Sequence, residues 1–137
     1  MIKKIQTNID IDAPIEKVWA VLGDIEKYPQ WNPFLLIEGD LEKGKTLKVT
    51  INHKEKSKMV FRPKILKFHN FCLEWAGVFL HPILFKGTHT FHLEKLSAKK
   101  TRLHHGEIFE GMAVRFFNVG KTREGFVSMN ESLRDLF

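Results

Sequence analysis

The chain is poor in cysteine, with Cys72 alone among 137 residues. An internal disulfide is therefore excluded, and a lone cysteine in an apolar stretch is most often buried and unreactive. No stretch approaches the roughly 18 to 20 apolar residues that a membrane-spanning helix needs. Because polar residues interrupt the first dozen positions, no signal-peptide core is visible either. We therefore expect a cytoplasmic protein.

Several chemical motifs are also missing. The sequence contains no glycine-rich phosphate loop, no serine in a nucleophile elbow and no Cys/His spacing typical of zinc. It has seven histidines, but His104 and His105 are neighbours in a predicted strand, so they point to opposite faces. We expect no metal and no other cofactor, and nucleophilic catalysis lacks a candidate residue.

The charge is positive, with a formal net value of +6, which permits attraction to nucleic acid or anionic membranes. The basic residues gather at two predicted turns: Lys54, Lys56 and Lys58 at one, Lys99, Lys100 and Arg102 at the other. Nucleic-acid binding would need exposed aromatics among these charges, whereas the aromatics fall on predicted inward faces. Nucleic acid is therefore not an expected partner, while a transient membrane contact through such lysines stays open.

Hydrophobic periodicity predicts one α+β domain over residues 1–137. Residues 2–12 alternate apolar and polar, which indicates a half-buried strand. A helical face follows over 15–22, for which Asp12 is the predicted cap, and then a second short helix from Asp24 to Tyr28 that Pro29 ends. Six more strands are predicted at 34–39, 45–53, 57–68, 70–80, 83–96 and 100–109. The last 25 residues predict a helix, with Met112 and Phe116 on its apolar stripe.

Three stretches carry a resemblance to a known superfamily. They are Ile11-Asp12-Ala13-Pro14-Ile15-Glu16-Lys17-Val18-Trp19, then Asp24-Ile25-Glu26-Lys27-Tyr28-Pro29-Gln30-Trp31-Asn32-Pro33, and the pair 87–93 and 101–107. These segments resemble the START-like (SRPBCC) superfamily, which includes polyketide cyclase/dehydrase-type, Bet v 1-like and lipid-transfer proteins. The resemblance implies a helix-grip fold: a curved antiparallel seven-stranded sheet, in the order β-α-α-β6-α, wrapped around a long C-terminal helix. It also implies a cavity in which members bind lipids, polyketides, hormones or drugs, and some catalyse cyclisation or dehydration.

The distribution of aromatic residues predicts the wall of that cavity. Alternate residues of the strands 70–80, 83–96 and 100–109 form faces that are aromatic with few polar groups, as in small-molecule pockets. The alternative is that these side chains simply fill a core. The predicted cavity residues are Trp31, Phe34, Phe71, Leu73, Trp75, Phe85, His89, Phe91, His105, Glu107, Phe109, Phe126 and Met129.

The hairpin of the last two strands predicts a polar pair inside this cavity. A three-residue loop at 97–99 places Leu96 opposite Lys100, and Glu94 opposite Arg102 as an outward ion pair. The same register places Phe91 opposite His105, and His89 opposite Glu107; a slip by one residue is excluded by burial, whereas a slip by two stays open. His89 and Glu107 would hydrogen-bond a ligand or transfer a proton, or form a satisfied buried pair with no ligand. His105 is a second candidate, or it only stacks on Phe91.

Three functions remain open at this point. The leading hypothesis is the binding or transport of a small hydrophobic ligand, with His89 and Glu107 fixing its orientation. The alternative is a cyclase- or dehydratase-type enzyme that uses His89, His105 and Glu107 as acid and base. A third hypothesis is a groove for the apolar segment of a partner protein. The sequence decides neither the ligand nor the oligomeric state.

Overall fold

The computed structural model describes residues 1–56 and 58–137 and arranges their strands in two antiparallel sheets. The larger sheet has the strand order β1-β8-β7-β6-β5, and the smaller has the order β2-β3-β4. The strands are β1 Ile2–Ile11, β2 Leu35–Glu38, β3 Lys48–Ile51, β4 Met59–Phe61, β5 Lys64–His69, β6 Cys72–Val78, β7 Lys86–Ser97 and β8 Lys100–Glu110. The α-helices are α1 Ile15–Gly23, α2 Tyr28–Trp31 and α3 Val119–Arg134. None of the helices in the described residues is long and apolar enough to cross a bilayer.

The strand count differs from the sequence prediction, since the described residues form eight strands rather than seven. The predicted strand 57–68 divides into β4 and β5 at Arg62-Pro63, and its first residue, Ser57, lies outside the described residues. Proline has no N–H to donate to a strand ladder, so a break is expected there. Backbone hydrogen bonds from Leu47 to Pro63 (2.9 Å) and from Ile65 to Lys45 (2.9 Å) connect the two sheets beside this break.

The C-terminal helix begins later than predicted. Asn118 caps α3 by accepting a hydrogen bond from the backbone of Lys121 (3.2 Å). Met112 and Phe116 precede the helix, in a segment with a short 3₁₀ turn at Val114–Phe116, and both side chains are exposed. The buried face of α3 carries Phe126, Met129, Asn130 and Leu133, and it closes the concave side of the sheets as the helix-grip fold implies.

Four local predictions are also corrected. Asn70 and Phe71 form the two-residue turn between β5 and β6, with φ values of 50° and 60°, so Phe71 does not belong to a strand. Strand β7 begins at Lys86, because 79–85 is a loop that contains Pro82. Pro29 lies in the first turn of α2 instead of ending a helix. The residue that caps α1 is Pro14, not Asp12.

Candidate functional site

The β7–β8 hairpin has the predicted register at its functional end. His89 pairs with Glu107, Phe91 with His105, and Leu93 with Leu103. The prediction for the tip is wrong: Ser97 pairs with Lys100 across a two-residue turn, and Leu96 is the extra residue of an irregularity. Such a bulge takes up the odd residue without shifting the inward faces.

The predicted ion pair between Glu94 and Arg102 does not form, although the two residues are opposite each other. Arg102 donates from Nε to Asp10 on the neighbouring strand β1 (2.7 Å), and Glu94 accepts from His104 (2.9 Å). Arg102 therefore pairs with a residue of the adjacent strand β1, and Glu94 pairs with a diagonal neighbour on β8, so both pairs lie outside the pocket.

A chain of five polar side chains runs from the inner wall of the sheet to α3. Glu107 Oε1 lies 3.0 Å from His89 Nδ1, and His89 Nε2 lies 2.7 Å from His105 Nε2. His105 Nδ1 lies 2.8 Å from Asn130 Oδ1, and Asn130 Nδ2 lies 2.8 Å from Thr7 Oγ1. Thr7 Oγ1 lies 2.7 Å from the carbonyl oxygen of His105. The far end of the chain is thus anchored in the β1–β8 ladder, where Thr7 pairs with His105.

The direction of each hydrogen bond in this polar chain follows from its last contact. A carbonyl can only accept, so Thr7 donates to it and must itself accept from the amide nitrogen of Asn130. Asn130 Oδ1 then accepts from His105 Nδ1–H. If His105 is neutral, its Nε2 accepts from His89 Nε2–H, and His89 Nδ1 faces Glu107. A neutral His89 requires a protonated Glu107 that donates to Nδ1.

Burial favours this neutral arrangement. Desolvation raises the pKa of Glu107 to about 8 and lowers the pKa of His89 to about 3. The pKa of His105 is lowered well below its ordinary value, first by burial and then by the neighbouring His89. The side chain of His89 is only 3% exposed and that of Glu107 only 14%. Near pH 7 the proton therefore stays on Glu107, and the polar chain carries no net charge.

A pocket opens beside Glu107, between the two sheets and the first half of α3. Its void amounts to about 660 Å³ including the part open to solvent, of which about 60 Å³ admits the centre of a water molecule. Its walls are mainly aromatic and aliphatic, with Asn52, His89, Glu107 and Thr122 as the polar members. The apolar wall residues are Phe34, Leu35, Val49, Ile51, Met59, Phe61, Pro63, Trp75, Phe85, Phe109, Phe117 and Phe126.

Seven of the residues predicted to line a cavity contribute to this pocket: Phe34, Trp75, Phe85, His89, Glu107, Phe109 and Phe126. Six others lie elsewhere: Trp31, Phe71, Leu73, Phe91, His105 and Met129. Phe71 packs edge-on against Trp19 of α1 (5.9 Å between ring centroids). Trp31 packs against Tyr28 in the same way (5.0 Å). The others are core residues.

His105 is buried between two rings rather than exposed to the pocket. Phe91 stacks on one face at 4.3 Å and Phe126 on the other at 4.1 Å, between centroids. Cys72 is half-buried, and burial raises the pKa of its thiol. In the described part of the chain, no group of three or more His, Cys, Asp or Glu side chains is placed to hold a metal ion.

Two glycines that were not predicted as site residues create much of the space. Gly77 and Gly87 face each other across β6 and β7, and both line the pocket. An added Cβ at Gly87 would lie 2.4 Å from Glu107 Oε2, so this oxygen occupies the room that a side chain at position 87 would take. Glycine inside a strand is the sequence signal for such a close approach. No comparable sequence signal indicated that residues of the smaller sheet would line the pocket.

The fold and this pocket together define a helix-grip protein with an internal, mostly apolar pocket. The chain belongs to the polyketide cyclase/dehydrase and lipid transport family, whose model matches residues 3–131. No curated protein sequence matches it significantly.

Solved structures support the same fold at low sequence identity. The Zhui aromatase/cyclase from Streptomyces is 15% identical with a TM-score of 0.73, over 99% of this chain and 93% of that one. A START superfamily protein from Mycobacterium smegmatis is 19% identical with a TM-score of 0.70, over 98% and 99%. Norcoclaurine synthase from Thalictrum flavum, in complex with dopamine and hydroxybenzaldehyde, is 14% identical with a TM-score of 0.72, over 99% and 86%.

Proposed function

We propose that the chain binds a small, mostly apolar molecule in this pocket, with Glu107 and His89 fixing the orientation of its polar end. The observation that carries the proposal is an aromatic pocket into which one buried carboxyl group projects. Apolar walls with a few placed polar groups are the usual composition of small-molecule sites. Burial of apolar surface, at roughly 25 cal/mol per Å², supplies the binding free energy.

The size of the pocket bears on how such a molecule would enter. The cavity volume of about 60 Å³ is smaller than the roughly 150 Å³ of a cavity that holds benzene. An entering molecule therefore inserts one end towards Glu107 and leaves the rest in the open part, unless wall side chains move. Elongated molecules with one polar end fit this geometry best.

Filling the pocket tests the proposal. Gly77→Val places a branched side chain opposite Gly87, inside the pocket, and β-branched residues suit a strand. Ala76→Val adds the same bulk on the other face of β6 and serves as the control. We expect Gly77→Val to abolish uptake of a fluorescent hydrophobic probe, and of lipid co-purified and detected by native mass spectrometry. Equal uptake by both variants, or none by the native protein, would reject the proposal.

Acid–base catalysis of the cyclase or dehydratase type is the second candidate function. It is favoured by the Glu107 carboxyl, whose pKa of about 8 suits proton exchange near neutral pH. Oε2 would accept a proton from the substrate while Oε1 passes its own proton to His89, and His105 lies behind His89. Glu107→Gln and His89→Ala should abolish turnover of a true substrate while binding survives. Full activity in both variants would exclude this assignment.

We also propose that the mouth of the pocket makes transient contact with an anionic membrane. Two loops with exposed apolar side chains lie together, since Met112 N–H donates to the Ile83 carbonyl (3.0 Å) and Ala113 N–H to that of Leu84 (2.9 Å). We call these side chains the apolar surface: Phe79, Leu80, Ile83, Leu84, Met112 and Phe116. Leu80 is 82% exposed at φ 65°, a conformation that a bulky residue rarely adopts.

Residues around the apolar surface connect it to the pocket and give its edge a positive charge that would attract anionic lipids. The Phe79 ring packs against the pocket residue Phe61 (6.4 Å between centroids). Lys3 donates to the carbonyls of Arg115 and Phe117, which brings two cations to its edge. Exposed apolar groups rimmed by basic residues suit a leaflet with anionic lipids.

The two lysine clusters predicted from the sequence lie in different places. The turn at 97–100 is at the far end of the β7–β8 hairpin, and there Lys100 pairs with Asp12 (3.8 Å). Lys54 and Lys56 lie instead between Asn52 and Met59, which both line the pocket. Only the latter cluster is therefore close enough to support the proposed contact.

Vesicle co-sedimentation tests the membrane contact. The native protein should bind vesicles containing phosphatidylserine and not vesicles of phosphatidylcholine alone. Leu80→Asp and Phe116→Asp should lose binding, whereas Leu66→Asp, at a residue 40% exposed on β5, should keep it. If instead the first two variants bind normally, or convert an oligomer of the native chain into monomers without any vesicle binding, the proposal is rejected.

A further inference from the structure

The atom that meets the inserted end of a ligand is Glu107 Oε2. Oε1 is engaged with His89, and in residues 1–56 and 58–137 no hydrogen bond reaches Oε2. Oε2 lies over Gly87, whose missing side chain leaves it open to the pocket. Among the described residues, the pocket wall therefore presents one acceptor oxygen without a partner.

This oxygen is an acceptor in either protonation state of the pair. When Glu107 keeps its proton, that proton lies on Oε1 and points at His89 Nδ1, so Oε2 is a carbonyl oxygen. When the proton moves to His89, Oε2 is a carboxylate oxygen. Neither form donates into the pocket. The hydrogen bonds of Thr7, Asn130 and His105 fix which atom donates at each step of the polar chain, so the Glu107 proton points at His89.

We infer that the pocket selects, among apolar molecules of similar shape, those whose inserted end carries a hydrogen-bond donor such as a hydroxyl or amine group. This inference rests on the proposed binding function. A ligand oxygen without a hydrogen would face Oε2 lone pair to lone pair, and both acceptors would be buried without a partner. The other polar wall groups, Asn52 and Thr122, can donate as well as accept, so they do not discriminate.

A matched pair of probes tests the inference. 1-Phenylethanol and acetophenone have the same number of heavy atoms, but only the alcohol can donate. We expect the native protein to bind the alcohol about tenfold more tightly, as for one hydrogen bond in a buried site. The dissociation constants can be measured by titration followed with NMR chemical shifts.

Variants separate the role of Oε2 from general damage. Glu107→Gln should keep the preference, because its amide nitrogen donates to His89 and its carbonyl oxygen takes the position of Oε2. Glu107→Leu should lose the preference. Gly87→Ala should also reduce it, because the new Cβ would lie 2.4 Å from Oε2 and displace it. Gly23→Ala, where the added Cβ makes an ordinary 3.6 Å contact with Phe68, is the control.

The outcomes are distinguishable. Equal affinity for the two probes in the native protein, or an unchanged preference in Glu107→Leu, would overturn the inference and leave the binding function intact. Binding of neither probe would reject both the inference and the proposed function.

Discussion

The two halves of the β7–β8 hairpin share a strand register but enclose different interiors. Towards the turn, Phe91, Leu93, Leu103 and His105 are buried and packed without space. Towards the other end, the inward positions include Gly87, with Gly77 opposite it, and a pocket results. The alternation of inward and outward residues is the same in both halves. The size of the inward side chains is what separates a packed core from a pocket.

The largest effect that distinguishes the two halves should come from truncating a ring. Phe91→Ala removes a fully buried side chain and should lower the free energy of unfolding by about 4 kcal/mol. Phe85→Ala, on the pocket wall, should cost less than half as much, because that ring is only partly buried and borders the pocket. Denaturant titration of both variants measures the difference, and equal losses would contradict the comparison.

Cutting the polar chain at its packed end should cost about 2 to 3 kcal/mol, because two buried groups lose their partners. In Asn130→Leu, His105 Nδ1–H and the Thr7 hydroxyl oxygen would both lose the hydrogen bonds that Asn130 makes to them. Glu107→Gln, at the pocket end, should instead stabilise the protein near pH 7, because the amide keeps the hydrogen bond to His89 and removes the cost of holding a proton that the unfolded chain has lost. Thermal and denaturant unfolding can compare them; a larger loss in Glu107→Gln would reverse the expected order.

The contact between α3 and the pocket wall should be sensitive to one methyl group. An added Cβ at Gly125 would lie 2.3 Å from the Phe34 ring, so Gly125→Ala should destabilise by about 1 to 2 kcal/mol despite the better helix propensity of alanine. Gly120→Ala, where the nearest atom is 3.5 Å away, should be neutral or stabilise by about 0.5 kcal/mol. A stabilised Gly125→Ala variant in denaturant titration would show that Phe34 moves freely into the void.

The pH dependence of stability should show which group holds the proton. The pKa of Glu107 is raised from 4.5 to about 8, so between these values only the unfolded chain has lost this proton. The pKa values of both His89 and His105 are lowered from 6.5, so below 6.5 only the unfolded histidines are charged. From 4.5 to 6.5 the two histidines outweigh the one carboxyl, and stability rises with pH. Above 6.5 the carboxyl acts alone, and stability falls until about pH 8.

That fall should have a slope of about 1.4 kcal/mol per pH unit, the value for one proton. Glu107→Gln should abolish the fall above pH 6.5 and retain the rise below it, which unfolding curves at several pH values can measure. The same alkaline fall in the variant would mean that another group, and not Glu107, carries the proton.

The sequence predicted the hairpin register because a one-residue slip would turn every inward side chain outward. That constraint left a two-residue slip open, and the pairs His89–Glu107 and Phe91–His105 were chosen by assuming a three-residue loop; the real turn has two residues, and the irregularity at Leu96 restores the same register. The sequence could not predict the partners of outward charges: Arg102 bonds to Asp10 of β1, a strand some ninety positions earlier in the sequence. Nor did it predict that Phe71 lies in a turn, since alternation alone does not show where a strand ends.

The superfamily and the helix-grip fold were implied by the resemblance of three sequence stretches, and the pairing of His89 with Glu107 was predicted from alternation and turn residues, which act over short distances. The position of the pocket was decided only when the smaller sheet and α3 came together over Gly77 and Gly87. The protonation of Glu107 was decided in the same way. A carboxyl group keeps its proton only where packing removes the water that would otherwise stabilise its charge.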